Sequence, residues 1–146
     1  MPLNQRRANI TWTGNLIVGS GKLRVGSNAF PEQTVTFSAR TEKQEGTTPE
    51  ELISGALATC YVMVLANILK QAGNPSEQLD VEAVTSLDRI EGGLKITDIA
   101  LTVKGNVPGF EPAQFDEMAR TAEQKCPVAN ALRGNVNISV SASLAS

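Results

Sequence analysis

Residues 47–73 read TTPEELISGALATCYVMVLANILKQAG. Thr48 is a favourable N-cap, Pro49 suits the first helical position, and Glu51 completes a Thr-x-x-Glu capping box. Beyond these, Leu52, Ile53, Leu57, Val62, Val64, Leu65, Ile68 and Leu69 fall all round a helical wheel. The stretch predicts a long central helix, buried on most sides, that runs to about Ala72 and stops at Gly73. Ser54, Gly55, Thr59 and Asn67 interrupt the apolar run, so it reads as a core helix and not as a membrane span.

The flanks on both sides carry strand patterns. Upstream, ITWTGNLIV, KLRVG and TVTFSAR are separated by turns rich in glycine, which gives three strands within residues 8–41. Downstream, Val81, Ala83, Thr85 and Leu87 share one face, Gly92-Gly93 turns the chain, and Ile99, Leu101 and Val103 share the next face. Residues 81–105 therefore read as a hairpin. A second helical region opens at Glu111-Pro112 and passes through Phe115, Met118, Ala119 and Ala122. Pro127 must interrupt it, because proline lacks the amide hydrogen a mid-helix bond needs. A short helix over about 127–132 follows and ends at Gly134. In the last strand Val136, Ile138, Val140, Ala142 and Leu144 alternate with Asn137, Ser139, Ser141 and Ser143. The predicted order is βββαββααβ, an α+β fold with largely antiparallel sheets in a single domain, 1–146.

Composition narrows the chemistry. The 146 residues carry 13 basic and 15 acidic side chains, a net charge of −2. Arg6-Arg7 is the one adjacent basic pair, so no nucleic-acid or anionic-membrane partner is expected. MPLNQRRANITW lacks the apolar core of a signal peptide, which points to the cytoplasm and a reducing environment. There is no histidine. Ser-His-Asp and Cys-His activation and histidine metal ligation are therefore excluded. The two cysteines, 66 positions apart, are too few for a structural zinc site. No metal or other cofactor is implied, and thiols, carboxylates and cations are left to do any chemistry.

Cys126 stands before Pro127, at the N-cap of the short helix. Free amides and the positive end of the helix dipole there favour an anion, so its thiol pKa is expected to fall. Cys60 lies in mid-helix among Ala56, Ala58 and Thr59, where an apolar setting favours an inert thiol. By spacing alone Cys126 is the more reactive of the two. Glu50 is ten residues before Cys60, about 15 Å along a straight helix, so within one chain the two should not touch. Antiparallel packing of two such helices across a dimer axis would bring them together, and an all-round apolar helix in a small domain suits a dimer.

TTPEELISGALATC (47–60), taken with AEQKCPVANALRGNVNISVS (122–141), resembles the OsmC/Ohr family of organic hydroperoxide reductases. The hairpin VTSLDRIEGGLKITDIALTVKGNVPG resembles the osmotically inducible OsmC branch more than the Ohr branch. The resemblance spans nearly the whole chain. It implies an intertwined homodimer and a two-cysteine peroxidase of the oxidative stress response, in which Cys60 attacks the peroxide and Cys126 resolves the product as a disulfide. That reverses the order given by spacing. A guanidinium could hold Cys60 as thiolate despite burial. By the OsmC-branch pattern this cation is Arg40. The Ohr branch places it in an early glycine-rich turn, where this chain has Lys22, and Arg24 is the fallback. Glu50 would orient the arginine, from its own or the partner subunit, while Glu51 is a cap partner.

Leu57, Met63, Phe110 and Phe115 are candidates to line an apolar entrance for an organic hydroperoxide. The resemblance also implies an external dithiol reductant, with a lipoyl-type dithiol as one candidate. The alternative is a stress protein that binds an apolar ligand or senses redox state through its thiols without turnover.

Overall fold

The computed structural model describes residues 1–145, and they form two compact units, one of Met1–Pro49 and one from Glu50 onward. The first unit is an antiparallel sheet of β1 (Ala8–Thr13), β2 (Ser20–Val25) and β3 (Gln33–Val35), followed by the short helix α1 (Phe37–Thr41). Two sequence expectations change here. The strand over ITWTGNLIV stops at Thr13, because the Asn15 side chain accepts the N–H groups of Ile17 and Val18, each at 3.0 Å, and folds the tip into a turn. TVTFSAR is a strand only to Val35. Thr36 keeps an extended backbone, and its hydroxyl accepts the Ala39 N–H at 3.2 Å, a side-chain N-cap that starts α1. β-branched residues gave the strand pattern, but a local hydroxyl-to-amide bond took the backbone elsewhere. Every residue of β1 is exposed, including Ile10 and Trp12.

The second unit is built on α2 (Pro49–Gln71), which begins at the boundary between the units. The helix ends where expected: Gly73 takes φ +86, a left-handed conformation that costs a glycine little. Its fully buried residues form one stripe, Leu57, Tyr61, Leu65 and Leu69, at i, i+4, i+8 and i+12. Ile53, Val64 and Ile68 flank this stripe half-buried, while Met63 on another face is 66% exposed. By length and composition α2 could cross a bilayer, but that stripe is the centre of the unit's core.

The stripe faces a three-stranded sheet ordered β4 (Gln78–Ile90), β5 (Gly93–Asn106) and β6 (Asn137–Leu144). β4 and β5 form the predicted hairpin around Glu91-Gly92, with an irregularity between Ser86 and Leu87. β6 pairs parallel to β5, Ile99 opposite Ile138 and Leu101 opposite Val140. Ile99, Leu101 and Val103 are buried as their alternation predicts, and β6 keeps its strict alternation.

Between β5 and β6 the chain forms α3 (Pro112–Lys125) and α4 (Pro127–Leu132). Glu111 caps α3 in a reciprocal box with Gln114. Phe115 packs over β5 at Gly105, where an added Cβ would stand 2.6 Å from the ring. Gly105 is therefore the gap in the strand that admits the ring.

Candidate functional site

Cys60 sits midway along α2, and two hydrogen bonds pin that helix on either side of the site. Ser54 Oγ and Thr85 Oγ1 lie 2.7 Å apart and tie α2 to β4. The Tyr61 hydroxyl donates to the Ala119 carbonyl at 2.9 Å and ties α2 to α3. Cys126 occupies the break between α3 and α4, as the C-cap of one and the N-cap of the other. That break follows from Pro127, which suits the first position of α4 but cannot continue α3.

These two positions bring the thiols together. The Cys60 thiol lies within hydrogen-bonding reach of the Cys126 thiol. Cys126 is fully buried in the core cluster, and Cys60 packs against that cluster half-buried. Both cysteines are free thiols. Residues 66 positions apart thus share one site, which local sequence alone cannot arrange.

The expected drop in the Cys126 pKa does not occur. Burial pushes its thiol up, and the neighbouring Cys60 adds to the rise; the backbone amides of Ala129 and Val128 oppose it. The sulfur makes no regular cap hydrogen bond, and α4 is a six-residue helix. A short helix end in an apolar site does not outweigh desolvation. At neutral pH Cys126 is therefore a protonated thiol.

Glu50 is buried at the start of α2, 8% exposed, ten residues before Cys60 and on the same helix. Arg40 is half-buried in the last turn of α1, in the first unit. The fallback Arg24, on β2, is engaged with Glu32 at 2.5 Å. Lys22 donates to the Thr34 hydroxyl at 2.7 Å. Of the candidate entrance residues, Leu57 and Phe115 are fully buried, Phe110 is half-buried against the core, and Met63 is exposed.

Sequence reasoning missed three residues around the thiols: Tyr61, Glu123 and Arg133. Tyr61 left a signal, since a tyrosine in a buried helix stripe needs a partner for its hydroxyl. Glu123 and Arg133 left none, because they pair across the Pro127 break. Burial pushes the Tyr61 phenol well above its usual range, and the charge of Glu123 adds to this.

The raised Tyr61 pKa has a consequence for stability. A group whose folded pKa exceeds its unfolded value contributes stability in full below the unfolded value, about 10 for tyrosine. That contribution is lost as the pH rises from there towards the folded value. Tyr61 is the one tyrosine in the chain, so tyrosinate absorbance reports on it alone. The signal is expected to stay absent while the fold persists above pH about 10 and to appear together with loss of helical circular dichroism. Ionisation with an ordinary midpoint in the folded protein would contradict the buried placement.

The sequence matches a protein-family model described as OsmC-like protein over residues 41–141. It is 34% identical over 133 residues to the peroxiredoxin OsmC of Escherichia coli strain K12, covering 91% of this chain and 93% of that protein. It is 31% identical over 103 residues to the organic hydroperoxide resistance protein OhrB of Bacillus subtilis, covering 69% of this chain and 73% of that one. The fold superposes on a crystal structure of the organic hydroperoxide resistance protein OsmC from Legionella pneumophila with a TM-score of 0.79 at 21% identity, covering 98% and 99% of the two chains. The crystal structure of B. subtilis OhrB gives 0.74 at 25% identity, covering 94% and 98%. With the family match spanning most of the sequence and the same α+β fold in these proteins, this chain belongs to the OsmC-like protein family.

Proposed function

We propose that this chain is a thiol-dependent peroxidase of the stress response that reduces organic hydroperoxides, and more weakly hydrogen peroxide, to alcohols. The observation that carries the reading is the contact between Cys60 and Cys126. Relatives named peroxiredoxin OsmC and organic hydroperoxide resistance protein support the same chemistry.

In the proposed cycle the Cys60 thiolate attacks the distal oxygen of ROOH. An S–O bond forms, the O–O bond breaks, and the departing alkoxide takes a proton to become ROH. Cys60 is left as sulfenic acid. Cys126 then attacks the Cys60 sulfur, an S–S bond forms, and the sulfenic oxygen leaves as water with the Cys126 proton. An external dithiol, with a lipoyl-type dithiol as the candidate class, reduces the disulfide by exchange. The attack is assigned to Cys60 because it is partly open, whereas Cys126 is fully buried and its thiol is pushed up.

Arg40 is the cation proposed to favour the Cys60 thiolate and to donate to the peroxide oxygens, with Glu50 orienting it. Leu57, Met63, Phe110 and Phe115 are proposed to favour a bulky apolar R group. A homodimer in the cytoplasm completes the reading. The exposed residues of β1, Ile10 and Trp12 among them, and the exposed Met63 on α2 are apolar surface that a second copy would cover.

Titration of the reduced protein with cumene hydroperoxide, followed by intact mass, tests the cycle. Loss of two hydrogens per chain, reversed by a dithiol, with repeated turnover is expected. Oxidation that happens once and does not turn over would instead make the protein a redox sensor or binder.

A further inference from the structure

An ion pair joins the residues on either side of Cys126 in the chain. Glu123, one turn before it, is 6% exposed, and Arg133 closes α4 seven residues after it. Arg133 Nη2 donates to a Glu123 carboxylate oxygen at 2.5 Å and to the Glu123 backbone carbonyl at 2.9 Å. Its other terminal nitrogen donates to the Asn130 side chain. Gln124 donates to the second carboxylate oxygen at 2.7 Å, so both oxygens of this buried group are satisfied. The same Glu123 carbonyl accepts the Cys126 N–H at 3.4 Å. One guanidinium thus holds the last turn of α3 to the end of α4, across the junction that Cys126 occupies.

We propose that the Glu123–Arg133 pair is the positioning device of the resolving thiol, holding Cys126 against Cys60 so that the sulfenic acid is captured before a second peroxide reaches it. This rests on the peroxidase reading above. Capture forms the S–S bond and releases water, as in the proposed cycle; failure lets a second ROOH oxidise the sulfenic acid to sulfinic acid and leave as ROH. Neither Glu123 nor Arg133 is assigned contact with the peroxide. Arginine suits the role because one planar group reaches a carboxylate, a carbonyl and an amide oxygen together.

The test uses the full chain, prereduced, with cumene hydroperoxide as probe. Glu123→Gln, Arg133→Gln, Arg133→Lys and the double Gln variant are compared with wild type by dimedone trapping and intact mass. Sulfenic acid formation is expected to stay within about twofold of wild type. Disulfide formation is expected to slow by roughly ten- to a hundredfold in each Gln variant, since each removes one anchor of the link between α3 and α4, and Arg133→Gln also leaves the buried Glu123 carboxylate without its counter-charge. Sulfinic product should rise in step. The double variant should be no slower than the worse single one, as for coupled partners. Arg133→Lys keeps the charge, protects folding, and should restore part of the rate. Folded variants that form the disulfide at the wild-type rate would overturn the positioning role alone. A wild-type protein that never forms a Cys60–Cys126 disulfide would overturn the peroxidase reading, and this role with it.

Discussion

Cys60→Ser is expected to abolish dithiol-dependent turnover of cumene hydroperoxide, by at least about a thousandfold, because it removes the group proposed to attack the peroxide. Cys126→Ser should behave differently. It should still consume the first equivalent of peroxide, then stall as a Cys60 sulfenic acid and pass to the sulfinic acid as more is added. The asymmetry follows from placement: Cys60 is partly open, whereas Cys126 is buried and its thiol is pushed up. Stopped-flow consumption of peroxide, read beside intact mass, separates the two variants. If Cys60→Ser consumed peroxide as fast as wild type while Cys126→Ser did not, the roles would have to be exchanged.

Phe115→Ala is expected to have the largest effect on stability. The ring is fully buried on the core side of β5 and occupies the gap left by Gly105. Truncating such a side chain costs about 3–5 kcal/mol in transfer and cavity terms. That is a large fraction of the roughly 5–15 kcal/mol that holds a domain folded. Urea unfolding followed by circular dichroism, at one fixed protein concentration in case of association, gives the comparison. Phe115→Leu, which keeps most of the volume, should lose less. A cost below about 1 kcal/mol for the alanine variant would mean that α3 does not seal the core as described. The same loss should reach the chemistry, since α3 carries Cys126 at its end.

Much of the fold was legible in particular residues. Thr-Pro-Glu-Glu and Gly73 bounded the long helix, Pro127 divided α3 from α4, and the alternation at 99–103 and 136–144 identified the buried strands. These signals are local, and each depends on backbone chemistry or on one period of side chains. The misreadings were local too. At 15–18 and at 36–39 a side-chain oxygen captured backbone amides and redirected a chain whose composition favoured strand.

The site was legible only in part. Its two cysteines could be found in the sequence, and so could the proline that frames one of them. The direction of the Cys126 pKa could not, because it is set by how much core closes over the sulfur, and a motif at a helix start says nothing about that. The Glu123–Arg133 pair was invisible for a related reason: its partners straddle a helix break, so no helical spacing links them.

Sequence by itself determined where α2, α3 and α4 begin and end, which strand faces are apolar, and that, with no histidine present, any chemistry is left to thiols, carboxylates and cations. Only the tertiary structure decided that Cys60 and Cys126 are neighbours, that Cys126 is buried and Cys60 partly open, and that a salt bridge spans the helix break at Cys126. The reason is physical: local geometry extends a few residues along the chain, while contact between side chains 66 positions apart depends on how α2, α3 and the sheet pack around one core.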